Sequence, residues 1–253
     1  MLRILLTLLF LLPSFAVAEE VVLGLSKENV AITTSFDGSE ILIFGAVKRE
    51  SPIDQSSPLE VVITVAGPSE PVVVRRKEHV FGIWVNTDAV EVDAAPSFYA
   101  VATTGPIDQV LSNTEDLRRK ITIDNAIRSV GAPSDITDAE SFTEAVIRIK
   151  ENQGLYQTLE GQVALDQQTL FRTSIDMPAD LTEGDYTTRI FLTRNGEIVG
   201  DYETSIAVEK VGLERFLFNM SREQPVWYGL MSLAIAIAAG WGASAVFRIF
   251  RAG

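Results

Sequence analysis

The chain has 253 residues, a formal charge of −13 at pH 7, a single histidine and no cysteine. The missing thiols exclude thiol catalysis, thiolate metal sites and redox exchange, and one imidazole leaves zinc and copper without their usual ligands. All 34 acidic residues and 18 of the 21 basic ones fall in 19–225, and this acidic balance disfavours nucleic acid and also anionic lipid headgroups.

Residues 1–18 read as an export signal. Arg3 supplies the positive start, Ile4 to Leu12 a short apolar run, and Ala16-Val17-Ala18 a small-residue cleavage site before Glu19. The run is too short to cross a bilayer, which takes about 20 residues.

From Val21 to Thr104 short β-branched runs alternate with turn residues, predicting a first β region over 19–104. Strands are expected near 21–25, 30–35, 40–47, 59–66, 71–76, 82–85, 89–93 and 97–103. Asp37-Gly38, Ser51-Pro52, Ser57-Pro58, Gly67-Pro68 and Ala95-Pro96 mark breaks. Ile41-Leu42-Ile43-Phe44 and Val61-Val62-Ile63 are apolar at consecutive positions, as in strands covered on both faces. Many short strands at regular spacing predict a mainly β protein built as an Ig-like or Greek-key sandwich.

A helical insert is expected over 105–154. Thr114 before Glu115-Asp116 reads as a helix start. Phe142, Ala145, Val146 and Ile149 share one helical face, with Asp138 as N-cap and Gly154 as stop. A second β region comes next, over 155–210. Leu181 to Tyr186 resembles the turn-then-tyrosine arrangement of sandwich edges, in which the hydroxyl bonds back to the backbone. The hairpin at Asn195-Gly196 admits two registers. A three-residue loop setting Leu192 opposite Ile198 keeps one face apolar, whereas a plain two-residue turn sets Ile190 opposite Asp201.

Residues 211–224 predict a juxtamembrane amphipathic helix carrying Leu213, Phe216, Leu217 and Met220 on one side, with Pro225 separating it from the C-terminal apolar segment. Residues 226–247 hold no charge. As a helix this stretch would be about 33 Å long, enough for the hydrocarbon core, so 225–247 is expected to span a membrane. Trp227 and Tyr228 suit one interface. Arg248 and Arg251 place the 248–253 tail in the cytoplasm, with 19–225 on the far side.

Few groups suggest chemistry. A Ser/His/Asp arrangement would have to run through His79, yet no Gly-x-Ser-x-Gly turn is present, and His79 reads as a surface residue. No Asp-x-Asp-x-Asp calcium loop or phosphate-cradling glycine loop occurs, so no cofactor is expected. Trp84 is expected in the core. Arg75, Arg76 and Lys77 form a basic cluster, of which strand alternation puts only Arg75 and Lys77 on one face. That pair is a candidate anion contact, or a sheet edge guarded by charge. In the anchor, Ala234, Ala238 and Gly242 recur every four residues and would permit close helix approach, to another membrane protein or a second copy of the chain.

The stretches Phe36-Asp37-Gly38-Ser39-Glu40-Ile41, Val74-Arg75-Arg76-Lys77, Gly82-Ile83-Trp84-Val85-Asn86 and Pro96-Ser97-Phe98-Tyr99-Ala100, with the C-terminal anchor, resemble the family called "putative transmembrane proteins" of alphaproteobacteria, from about Glu20 to Arg248. The resemblance implies a single-pass protein of a Gram-negative inner membrane with a periplasmic domain. It carries no activity and no catalytic residues, and it associates the chain with a neighbouring transporter of the sulfite-exporter type. The functional expectation is therefore a membrane-anchored accessory or interaction protein rather than an enzyme. The alternative is a periplasmic oxyanion-binding protein, or an enzyme, using Arg75 and Lys77.

Overall fold

The computed structural model describes residues 20–26, 29–32, 38–48, 57–129, 136, 138–210 and 213–251. The export signal, Asp37 and the Ser51-Pro52 break lie outside these. Two units are distinguished, one holding residues 1–30 and 37–208 and the other 31–36 and 209–253.

The first unit is mostly β. Strands β1 (Glu20–Leu25), β3 (Ser39–Lys48), β10 (Leu170–Met177) and β9 (Ala164–Asp166) form one sheet in that order. A second sheet runs β2 (Asn29–Ile32), β12 (Glu197–Lys210), β11 (Gly184–Arg194), β4 (Glu60–Ala66), β7 (Tyr99–Thr103) and β8 (Tyr156–Leu159). Strands β5 (Ser69–Val80) and β6 (Ile83–Pro96) pair only with each other. Both larger sheets mix the two β regions of the sequence, because β3 pairs with β10 and β4 with β11.

Alternation decides what each sheet buries. In β3, Ile41 and Ile43 are buried, whereas Leu42 and Phe44 are exposed. The expectation that this run is covered on both faces is thus corrected: β3 belongs to a sheet with one solvent-facing side. Val61, Val62 and Ile63 of β4 are completely buried, as expected of a strand with neighbours on both sides and both faces covered. Gly45 lies opposite Phe171, whose ring occupies the space a Cβ would need. Phe171 is 1% exposed, a burial that contributes about 2–3 kcal/mol.

The helical insert holds α1 (Ile107–Val110), α2 (Asn113–Arg119), α3 (Ile123–Ala126) and α4 (Glu140–Asn152). Helix α2 starts earlier than Thr114 suggests, because Ser112 is its N-cap and its Oγ accepts from the Glu115 amide. The buried Asp116 carboxylate accepts from the amides of Ile121 and Thr122, the Thr122 hydroxyl and the Asn125 amide group, all within 3.0 Å. Arg189 of β11 donates to the carbonyls of Arg119 and Lys120, closing the end of α2 onto the sheet. Helix α4 buries Phe142 and Val146 but leaves Ile149 exposed. Its N-cap position is Ala139, not Asp138; the Asp138 carboxylate is drawn instead to Arg76.

The Asn195-Gly196 hairpin also departs from expectation. Arg194 pairs with Glu197 across a two-residue turn, with both Asn195 and Gly196 at positive φ. A bulge between Leu192 and Thr193 then shifts the ladder by one, setting Ile190 opposite Tyr202. The bulge repairs the pattern that a plain two-residue turn would have broken.

Tyr186 behaves as the sequence suggests: completely buried, it donates to the Thr182 carbonyl at 2.9 Å. Tyr156 donates to the Pro96 carbonyl and Tyr99 to the Ile121 carbonyl, each at 2.8 Å. Burial, the largest cause in all three, raises their pKa values above the ordinary range. A phenol whose folded pKa is raised stabilises the fold fully below its unfolded pKa of about 10, and that contribution is lost as pH rises toward the folded value. The melting temperature is therefore expected to fall from about pH 10 upward. Thermal unfolding at stepped pH checks this, and Tyr156→Phe should make the fall shallower.

In the second unit, α5 (Leu213–Glu223) precedes α6 (Pro225–Arg251), with the break at Gln224. The side chains of Leu213 and Phe216, predicted on the amphipathic face, lie outside the described residues. Pro225–Ser244 of α6 has mean hydropathy 1.5 and none of it is buried, and it is the one described helix long and apolar enough to cross a membrane.

Candidate interaction surface

The hairpin of β5 and β6 is the feature that neither larger sheet absorbs. Its strands have 12 and 14 residues, giving a ribbon about 40 Å long at 3.3 Å per residue. Sequence periodicity divides this stretch into three strands. It misses that Lys77 to Val80 continues β5 and that Phe81-Gly82 is the turn.

The ribbon has two halves. At its base, Val90 and Val92 are buried opposite Val74 and Val72. Ala94 exchanges backbone hydrogen bonds with Arg128, tying the start of the ribbon to the helical insert. Midway stands Arg76. Its guanidinium donates to Asp138 at 2.5 Å and to the Ser141 hydroxyl at 2.8 Å, and it lies 4.5 Å from the centre of the Phe142 ring. Asp88, across the ladder, completes the arrangement at 3.7 Å. Beyond this point every residue from Lys77 to Thr87 is exposed.

That distal half is apolar where solvent would favour polar groups. Phe81 is 101% exposed, Trp84 70% and Ile83 66%, with Val80 and Val85 beside them. The expectation of Trp84 in the core is overturned: its described ring neighbour is His79, edge-on at 5.3 Å. The local apolar pattern that suggested a core strand belongs to a ribbon with no third strand to cover it. His79 is on the surface, as expected.

The turn itself is strained. Phe81 has φ +48 and Gly82 φ +88, the signs of a type I′ turn, where Asn-Gly or Gly-Gly are favoured. A side chain in the left-handed region costs about 1–2 kcal/mol, and no packing of the Phe81 ring offsets it. Phe81→Asn is expected to leave the melting temperature unchanged or raise it by about 2 °C. A clear fall in thermal unfolding would show that the ring supports the fold after all.

Arg75 and Lys77 lie two apart on β5, and neither side chain makes a hydrogen bond or ion pair among the described residues. Both are exposed. No group of three His, Asp or Glu side chains that could hold a metal occurs among the described residues. Ala234, Ala238 and Gly242 are exposed along α6, in the other unit, and a Cβ added at Gly242 would meet nothing.

With that geometry in view, comparison with protein families gives one decisive match. The family model described as "Putative transmembrane protein (Alph_Pro_TM)" matches residues 20–249. The chain belongs to that family. No curated protein matches it. Family membership and the single candidate span of α6 fit a single-pass membrane protein. The match takes in both the ribbon and the anchor.

One part of the hold on the ribbon, the Arg76–Asp138 pair, is ionic and pH-dependent. The hydrogen bond from Arg76, the largest cause, keeps the Asp138 carboxyl below its ordinary pKa, and Asp138 in turn raises that of Arg76. A depressed carboxyl contributes stability above its unfolded pKa of about 4 and loses it as pH falls through the folded value. Arg76→Ala is expected to raise amide exchange severalfold across Val72–Val92 at neutral pH while β10 and β11 stay protected. Acidification below about pH 4 should loosen the wild-type ribbon in the same place.

Proposed function

We propose that this protein is a membrane-tethered accessory protein that works by contact rather than by chemistry. The export signal delivers residues 19–225 to the periplasm, α6 crosses the inner membrane once, and the residues after Phe247 are cytoplasmic. The observation that supports this reading is the distal ribbon. Three large apolar side chains at a strained turn serve no purpose in packing the fold, and such a patch on a soluble surface marks an interaction site.

The anchor supplies the other contact. Ala234, Ala238 and Gly242 let a neighbouring helix approach closely, which favours an integral membrane partner or a second copy of the chain. A transporter of the sulfite-exporter type is the partner to test first. The oxyanion-binding alternative draws less support, because Arg75 and Lys77 are both exposed, whereas small-molecule sites bury most of their ligand.

Mild-detergent extraction of the full chain tests the tether. Wild type is expected to emerge with a membrane partner or as a dimer, and a variant with Ala234→Leu, Ala238→Leu and Gly242→Leu is expected to lose at least tenfold of that association. Both proteins emerging as lone monomers would remove the reading. Protease added to intact spheroplasts is expected to digest the β unit; its survival would overturn the periplasmic placement.

A further inference from the structure

The distal ribbon orders its residues by depth. Phe81 is at the apex, Ile83 and Trp84 lie within three residues of it, and Lys77 and Arg75 stand four and six residues back on β5. At about 3.3 Å per residue, the two cations lie roughly 13 and 20 Å behind the apex. Apolar elements that seat in a bilayer interface reach about 5–10 Å into the boundary of headgroups and acyl chains. Indole rings concentrate at headgroup level, where one edge is wet and the other apolar. The order along this ribbon matches that profile.

Charge is arranged in the same order. In a chain of net charge −13, Arg75, Arg76 and Lys77 are three consecutive cations, with Glu78 beside them and Asp88 across the ladder from Arg76. Arg76 is neutralised by Asp138 and Asp88, which leaves Arg75 and Lys77 to face outward. The acidity of the whole chain does not reach the tip, because surface charges are screened over about 8–10 Å. The turn also sets a limit on depth. Val80 pairs with Ile83, so the two residues between them have no ladder partner, and such groups are tolerated at an interface but not in the hydrocarbon core.

A protein partner fits less well. A stable specific interface takes about 20–30 residues from each side, and the free stretch here runs only from Lys77 to Thr87. A bilayer needs no such extent and no complementary pocket.

We infer that the ribbon is a lipid-binding arm: Val80–Val85 inserts into the interfacial zone of a bilayer with Phe81 deepest, while Arg75 and Lys77 meet the phosphates of anionic lipids. The inference rests on the reading of the ribbon as a contact element and supplies its target. It gives the β unit an attachment to lipid that is separate from α6.

The chain has three tryptophans, so Trp227→Phe with Trp241→Phe leaves Trp84 as the reporter in the full-length protein. This protein is placed in phosphatidylcholine nanodiscs, with or without phosphatidylglycerol. Brominated acyl chains are supplied either in the disc or in added vesicles, which separates insertion into the same bilayer from insertion into an opposed one. In at least one geometry Trp84 emission is expected to shift to the blue and to be quenched by bromine. Phe81→Ser should weaken quenching severalfold. Arg75→Ala with Lys77→Ala should raise the lipid needed about tenfold when phosphatidylglycerol is present and leave phosphatidylcholine binding unchanged. All the changed arm residues are exposed, and an unaltered melting temperature confirms that the variants are folded.

Solvent-like, unquenched Trp84 emission in both geometries overturns the inference. So does shielding of Trp84 that appears only when extracted membrane proteins are added, or only as protein concentration rises without lipid. Those last two outcomes leave the ribbon a contact element with a protein target. The detergent experiment on the anchor is independent of all of them.

Discussion

A two-stranded ribbon in water is marginal by itself, so the arm exists only because its base is held. Midway along the ribbon, the Arg76 guanidinium is one of the holds. It joins β5 to Asp138 and Ser141 at the start of α4, spans the ladder toward Asp88 and stacks on Phe142. Buried Val90 and Val92 hold the segment below it. Above it, the ribbon continues on its own ladder and exposes everything it carries. One side chain thus divides the hairpin into a part that belongs to the fold and a part that belongs to whatever the protein touches.

The same logic explains the helical insert. Its short helices could not persist alone. Asp116 fixes the turn between α2 and α3 with four accepted hydrogen bonds, Arg189 closes the end of α2, Tyr99 bonds to the Ile121 carbonyl and Tyr156 to the Pro96 carbonyl at the end of β6. The insert is needed because β4 is apolar on both faces. The insert's last helix, α4, supplies Ser141 and Phe142 to Arg76, and Asp138 just before it supplies the carboxylate. The arm is therefore coupled to the packing of the domain through the Arg76–Asp138 pair, the Phe142 ring, the Ala94–Arg128 backbone bonds and buried Val90 and Val92.

Lys120, Gln167 and Asn195 are polar residues that are exposed at positive φ; at the end of the arm a large apolar residue, Phe81, stands in that conformation. At Asn195-Gly196 the chain uses the residues that a type I′ turn favours; at Phe81-Gly82 it places a phenylalanine in the same backbone conformation. The two turns sit in one molecule and solve the same geometric problem. The difference between them is that one turns a strand within the sheet and the other carries an apolar ring into solvent. A local rule broken without a packing gain is the mark expected of a functional position.

Composition and periodicity alone determined much of this protein. The 22-residue uncharged segment, the mainly β character, the helical face through Phe142 and Val146 and the Tyr186 corner were all legible, because each depends on spacing within a short stretch. Tertiary structure decided the rest. Ile41 to Phe44 and Gly82 to Asn86 read alike as buried apolar strands, and only the position of each strand within its sheet shows that Leu42, Phe44, Ile83 and Trp84 face outward. The Ile190–Tyr202 register needed a bulge that no propensity announces. Asp138 looked like a helix cap until Arg76, 62 positions away, claimed it. Periodicity reports which residues share a face, but what covers that face is set by strands and helices distant in sequence, and so the arm could not be read from its residues alone.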